Sequence, residues 1–171
     1  MYNTRPGLLI GFHGCEADTR DSLLKNPDTI RKSEKPYDWL GNGMYFWENN
    51  ADRALQWAKD KKKRGEIETP AVIGAVLDLG YCFDLTDTRF ILMLKAYQII
   101  HQVAEDIAEK GYSEYKLFDS ARGAFMEGGP AFDGAGIAEK THIQLCIRNL
   151  NCIKGLFLPR KEINFLRYSL S

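Results

Sequence analysis

The residues with the clearest chemical potential lie in three short segments, of which the first is residues 12–15, FHGC. His13 follows the apolar run of residues 7–12, and this pattern predicts a buried strand that ends in a turn at Gly14. A histidine at a strand end can present a neutral imidazole beside an open backbone N–H and C=O, so it can bind a hydroxyl and an amide together. A histidine with a purely structural role fits these residues equally well.

The second segment, residues 37–48, reads YDWLGNGMYFWE and is rich in glycine and aromatic residues. Gly41 and Gly43 allow the backbone to approach a ligand closely or to adopt a positive φ. In a strand, alternation places Tyr45 and Trp47 on one side and Phe46 on the other. Such an aromatic face can stack on a flat heterocycle, and a simple core cluster of aromatic residues is the alternative.

The third segment is the glycine-rich stretch of residues 123–138, which leads into an apolar strand at residues 142–147. Long loops in compact domains are often functional. His142 and Gln144 share a face of the predicted strand, and Glu127 and Glu139 are the carboxylates in or near the loop. A flexible loop before an edge strand with a solvated face is the alternative interpretation.

The elements that would position these segments mix strands and helices without regular βαβ alternation, which favours an α+β fold over a doubly wound sheet. Strands are predicted at residues 7–13, 70–80, 142–147 and 153–158, together with one fed by the turn in the second segment. Helices are predicted after the capping residues 49–52 and over residues 88–110. The basic run of residues 59–64 is interpreted as the solvated C-terminal end of the first of these helices, in preference to a nucleic-acid site.

The length predicts a single domain over residues 1–171. Because 23 Lys and Arg balance 23 Asp and Glu, the net charge gives no reason to expect a nucleic-acid partner. The four cysteines and three histidines do not form a zinc pattern, so we expect no metal and free buried thiols. No signal peptide or run of roughly 20 apolar residues is recognised, which favours a cytoplasmic protein without a membrane partner.

In this order the three segments resemble the ADP-ribosyltransferase fold of diphtheria toxin and the poly-ADP-ribose polymerases. His13 and Gly14 match the first motif of that group, and Gly43 and Tyr45 match the second. Residues 118–129 and 141–155 also look like an uncharacterised bacterial branch of this architecture. Where the family places a glutamate at the start of a late strand, this chain has Gln144.

The resemblance implies split, mainly antiparallel β-sheets with flanking helices, and NAD as a substrate. It implies that His13 holds the nicotinamide ribose, that the Gly14 backbone clamps the carboxamide and that Tyr45 stacks on the nicotinamide ring. Gln144 would hold a ribose hydroxyl as the third catalytic residue, while Glu127 or His142 would meet the acceptor.

The expected activity is therefore NAD-dependent transfer of ADP-ribose to an unknown protein or nucleic acid. A catalytically silent module that binds NAD or ADP-ribose is the alternative, and a toxin or defence effector is a third interpretation. The sequence leaves open whether a partner protein inhibits the activity. A Rossmann oxidoreductase is disfavoured because no G-x-G-x-x-G follows the first strand.

Overall fold

The computed structural model describes residues 7–35, 38–103, 118–125 and 142–160. Its strands are β1 (Leu9–Glu16), β2 (Met44–Glu48), β3 (Pro70–Leu77), β4 (Cys82–Asp84), β5 (Ser120–Phe125), β6 (His142–Ile147) and β7 (Ile153–Phe157). They form a seven-stranded sheet in the order β4-β5-β6-β2-β1-β3-β7. Among these strands β4 and β5 pair in parallel, and the other neighbours pair antiparallel.

The described part also contains three α-helices, α1 (Ala17–Lys25), α2 (Ala51–Lys63) and α3 (Thr88–Val103). Helix α2 begins where the sequence predicts, because the Asn50 side chain accepts a hydrogen bond from the backbone N–H of Arg53 at 2.9 Å. Asp87 caps α3 by accepting from the backbone N–H of Arg89 at 2.9 Å. The predicted helix of residues 88–110 is confirmed as far as Val103, and its remainder lies outside the described residues. In the described part, no helix is long and apolar enough to cross a membrane.

The chain is thus a mixed α and β structure, as the sequence predicts, and its sheet is mostly antiparallel, as the resemblance implies. The described strands form one sheet, however, where split sheets were expected. Strands β1 and β2 join the two parts of this sheet, which are β4-β5-β6-β2 and β1-β3-β7. In this pairing Gly11 lies opposite Glu48, and Phe12 lies opposite Trp47. Strand β1 also runs beyond the predicted turn. Gly14 pairs with Val72 of β3, so His13 lies within the strand and not at its end.

Two clusters of buried side chains hold the sheet together. The larger contains the fully buried Phe46, Ile73 and Leu77. The smaller is built on the rings of Phe83, Phe90 and Phe118, and the partly buried Tyr45 packs against it. The four cysteines are free and buried, as expected from the sequence. They contribute to these two clusters.

Candidate functional site

A cavity of about 330 Å³ opens near the junction of β1 and β2, a volume typical of small-molecule sites. Its lining comes from β1, β2, β6, helix α2 and the segment that precedes β2. The residues that line it are His13, Arg31, Ser33, Asp38, Trp39, Gly43, Met44, Tyr45, Trp47, Arg53, Trp57, Lys61 and Gln144. The structure therefore brings His13, Gly43, Tyr45 and Gln144 to one cavity, although they come from three distant segments.

His13 is fixed in the cavity wall by a hydrogen bond to β2. Its Nδ1 lies 2.7 Å from the backbone oxygen of Tyr45. Because a carbonyl oxygen can only accept, Nδ1 carries the proton and Nε2 is the acceptor of the neutral ring. Burial lowers the pKa of His13 to about 4, an effect that the bond to Tyr45 opposes only in part. At pH 7 the cavity thus contains a neutral imidazole that can accept a hydrogen bond.

Tyr45 supplies a ring to the cavity while its hydroxyl is used within the protein. The hydroxyl accepts from the backbone N–H of Leu40 at 2.9 Å and donates to the backbone oxygen of Gly41 at 3.0 Å. Gly41 has a φ of +87°, which a glycine adopts without strain. Burial raises the pKa of Tyr45, so the phenol stays neutral. The face that Tyr45 offers to a ligand is therefore apolar and aromatic. The predicted alternation is confirmed, since Tyr45 and Trp47 line the cavity and Phe46 is fully buried on the other side.

Gln144 reaches the cavity from β6 with one side of its amide already engaged. The indole Nε1 of Trp39 donates to its Oε1 at 2.6 Å. An indole N–H can only donate, so the amide is oriented with its oxygen toward Trp39. The amide NH₂ of Gln144 is therefore the group that can donate a hydrogen bond to a ligand. A donor here has the opposite hydrogen-bonding character to a carboxylate.

The two glycines of the predicted motifs differ in where they lie. Gly43 lines the cavity, and its backbone is paired with Ser33 by bonds of 2.8 and 3.1 Å. Gly14 does not belong to the lining, because its α-carbon faces helix α2. A Cβ on Gly14 would lie 2.1 Å from the backbone oxygen of Ala54. The structure thus gives Gly14 a packing role, where the resemblance implied that its backbone clamps the carboxamide.

The residues expected to meet the acceptor are not brought into the cavity by the described structure. His142 is only 4% exposed and packs against Trp47, with ring centroids 6.2 Å apart, so it lies behind the cavity wall. The resemblance implied that His142 meets the acceptor, whereas the structure places it outside the lining of the cavity. Glu127 and Glu139 lie outside the described residues. The glycine-rich stretch begins within β5, which continues to Phe125.

Helix α2 contributes three lining residues that the sequence argument missed, namely Arg53, Trp57 and Lys61. Their spacing of four places them on one face of the helix, and this is the signal that could have identified them. Arg53 is 4% exposed, with its guanidinium 5.9 Å from the centre of the Trp47 ring. Lys61 belongs to the basic run of residues 59–64, whose other lysines are exposed at the helix end as predicted, but it is partly buried and lines the cavity.

Comparisons with protein families, with curated proteins and with solved structures find no match to this chain. Within the described ranges, no group of three or more His, Cys, Asp or Glu side chains is placed to hold a metal ion.

Proposed function

We propose that the cavity binds the nicotinamide end of NAD and that the chain transfers ADP-ribose from NAD to a macromolecular acceptor. The observation that carries this proposal is the meeting of His13 and Tyr45 in one cavity wall across 32 residues of sequence. A flat aromatic surface beside a neutral hydrogen-bond acceptor suits a nicotinamide ring and the hydroxyls of its ribose. The resemblance to ADP-ribosyltransferases assigns the same tasks to these two residues.

In the proposed reaction, the C–N bond between nicotinamide and its ribose breaks, and nicotinamide leaves with the bonding electrons. The ribose carbon becomes cation-like, and a nucleophile of the acceptor attacks it and then loses its proton. His13 Nε2 would accept a hydrogen bond from a ribose hydroxyl and so orient the sugar. Tyr45 would stack on the nicotinamide ring, and Gln144 would donate to a ribose oxygen.

A second function, a binding module without turnover, is favoured by the contact between Trp39 and Gln144. A carboxylate in place of Gln144 could stabilise the cation-like ribose, but a neutral amide held by Trp39 has no charge to offer. Loss of one well-placed electrostatic group costs on the order of 10²- to 10³-fold in rate. The acceptor class, protein or nucleic acid, and the role of toxin or defence effector stay open in either case.

Two variants of the whole chain separate the proposals. In His13→Gln we expect NAD affinity, measured by titration calorimetry, to fall by about tenfold, because a positioned hydrogen bond is lost. In Gln144→Glu we expect nicotinamide release from NAD to rise by up to about 10²-fold if the site is catalytic. Lys59→Ala is the matched control, because Lys59 is an exposed residue of α2 outside the cavity.

The results distinguish three cases. Saturable NAD binding that depends on His13, with release that increases in Gln144→Glu, supports the transferase. NAD binding that depends on His13, without nicotinamide release by either the wild type or Gln144→Glu, supports the binding module. NAD affinity that is equally weak in all four proteins would refute both.

A further inference from the structure

Helix α2 presents two neighbouring stripes, and each has a different neighbour. Ala54 and Ala58 are fully buried, and Gly14 of β1 lies directly against them. The second stripe, Arg53, Trp57 and Lys61, faces the cavity and is called here the α2 wall. Because the alanines fix the helix against the sheet, the α2 wall is a fixed side of the cavity.

The charges around the cavity are unbalanced among the described lining residues. Arg31, Arg53 and Lys61 are cationic, whereas Asp38 is the carboxylate of this set. Asp38 is engaged within its own segment, since its Oδ2 accepts from the backbone N–H of Lys35 at 2.6 Å. Burial lowers the pKa of Lys61; the carboxylate of Glu66 opposes this shift, and the weaker effects of the positive charges of Arg64 and Lys35 add to it. A cation in such surroundings is stabilised by an anion from the ligand.

Trp57, the aromatic residue of the α2 wall, indicates which class of ligand the cavity fits. Trp57 lies 6.1 Å from Trp47, ring centre to ring centre, and Lys61 Nζ lies 5.9 Å from the centre of the Trp57 ring. Cationic and flat aromatic groups therefore occur side by side on one wall. A ligand with phosphate groups next to flat rings, which is a nucleotide, satisfies both kinds of group.

We propose that the α2 wall, with Lys61 as its principal cation, binds the phosphate groups of a nucleotide. The cavity would then prefer ligands that carry a diphosphate over free nicotinamide. This inference rests on the proposed function in one respect, namely that the nicotinamide end of NAD binds at His13 and Tyr45. The phosphate-binding role of Lys61 does not require that NAD be turned over.

The test compares Lys61→Gln with Lys62→Gln, adjacent lysines of which only Lys61 lines the cavity. The ligands are NAD, ADP-ribose, ADP, sodium pyrophosphate and nicotinamide, titrated by calorimetry or by NMR at fixed salt. We expect Lys61→Gln to lower the affinity for ADP-ribose and for ADP by about tenfold or more, because a charge-assisted hydrogen bond is lost. Lys62→Gln should remain within about twofold of the wild type, since exposed charges contribute little. Lys61→Arg, which keeps the charge, should retain most of the affinity and shows that the fold tolerates a change at this position.

Each outcome decides between the two proposals. If NAD binds and Lys61→Gln binds every phosphate ligand as the wild type does, the inference is wrong and the proposed function stands. If ADP and pyrophosphate bind through Lys61 but NAD does not, the proposed function fails and the inference stands. Equal losses in Lys61→Gln and Lys62→Gln, an equal loss for nicotinamide, or no phosphate ligand bound by the wild type would each overturn the inference.

Discussion

The substitution Gly14→Ala tests how helix α2, and with it one wall of the cavity, is held against the sheet. A Cβ at this position would lie 2.1 Å from the backbone oxygen of Ala54 and 3.3 Å from the Cβ of Ala58. The nearer atom belongs to the helix backbone, so rotation of a side chain cannot relieve the contact. The helix or the strand has to move.

The size of this movement sets the expected loss of stability. A carbon and a carbonyl oxygen approach to about 3.3 Å, so α2 would have to withdraw by roughly 1 Å. Overpacking of this kind costs about 1–3 kcal/mol, and the closeness of the contact places Gly14→Ala near 3 kcal/mol. For a domain of this size, that loss corresponds to a fall in Tm of about 6–12 °C. The α2 wall would move with the helix, so nucleotide affinity should fall as well.

The assay is urea denaturation followed by circular dichroism and tryptophan fluorescence, with Gly155→Ala as the control. Gly155 also lies in a strand, and a Cβ there would have no atom within 4 Å. Its substitution should change the free energy of unfolding by less than about 0.5 kcal/mol. If Gly14→Ala unfolds at the same urea concentration as the wild type, helix α2 does not pack as described and the cavity loses its wall.

Two further predictions concern buried ionisable groups. Because the pKa of His13 is lowered to about 4, the folded state binds fewer protons than the unfolded state between about pH 4 and 6.5, so stability should fall by up to about 3 kcal/mol over that decrease in pH. His13→Gln should lose most of this dependence, and an equal pH dependence of the free energy of unfolding in the two proteins, measured by urea denaturation at pH 7, 5.5 and 4.5, would contradict the lowered pKa of His13. Arg122 contacts Glu48 at 2.5 Å and Asp84 at 3.3 Å, so Arg122→Met should cost about 3–5 kcal/mol at pH 7 by leaving two carboxylates without this cation. A loss below about 1 kcal/mol in the same denaturation assay would show that the guanidinium does not stabilise the fold.

The sequence was sufficient where local rules govern the structure. The alternation of Tyr45, Phe46 and Trp47 predicted the two faces of β2, and Asn50 capped α2 as expected. Both features depend on residues close together in the chain. The same holds for Asp87, which caps α3 by accepting from the backbone N–H of Arg89, two residues later.

Features that depend on distant partners could not be predicted in the same way. Strand β1 runs past Gly14 because β3 pairs with it as far as Glu16, and no local signal in the glycine reveals that partner. The amide orientation of Gln144 is set by Trp39, 105 residues earlier in the chain. For Lys61 the information was present in the spacing from Arg53 and Trp57, but a basic run at a helix end hid it.

The position of the cavity follows from the way strand pairing stops between β1 and β2. Strand β1 pairs with β3 from Leu9 to Glu16, yet its pairing with β2 does not extend past Phe12. Beyond that point the backbone oxygen of Tyr45 takes its hydrogen bond from the imidazole of His13, a side chain in place of a strand partner. The same contact fixes the tautomer that leaves Nε2 as an acceptor. His13 therefore joins the two strands where their ladder stops and lines the cavity that opens there.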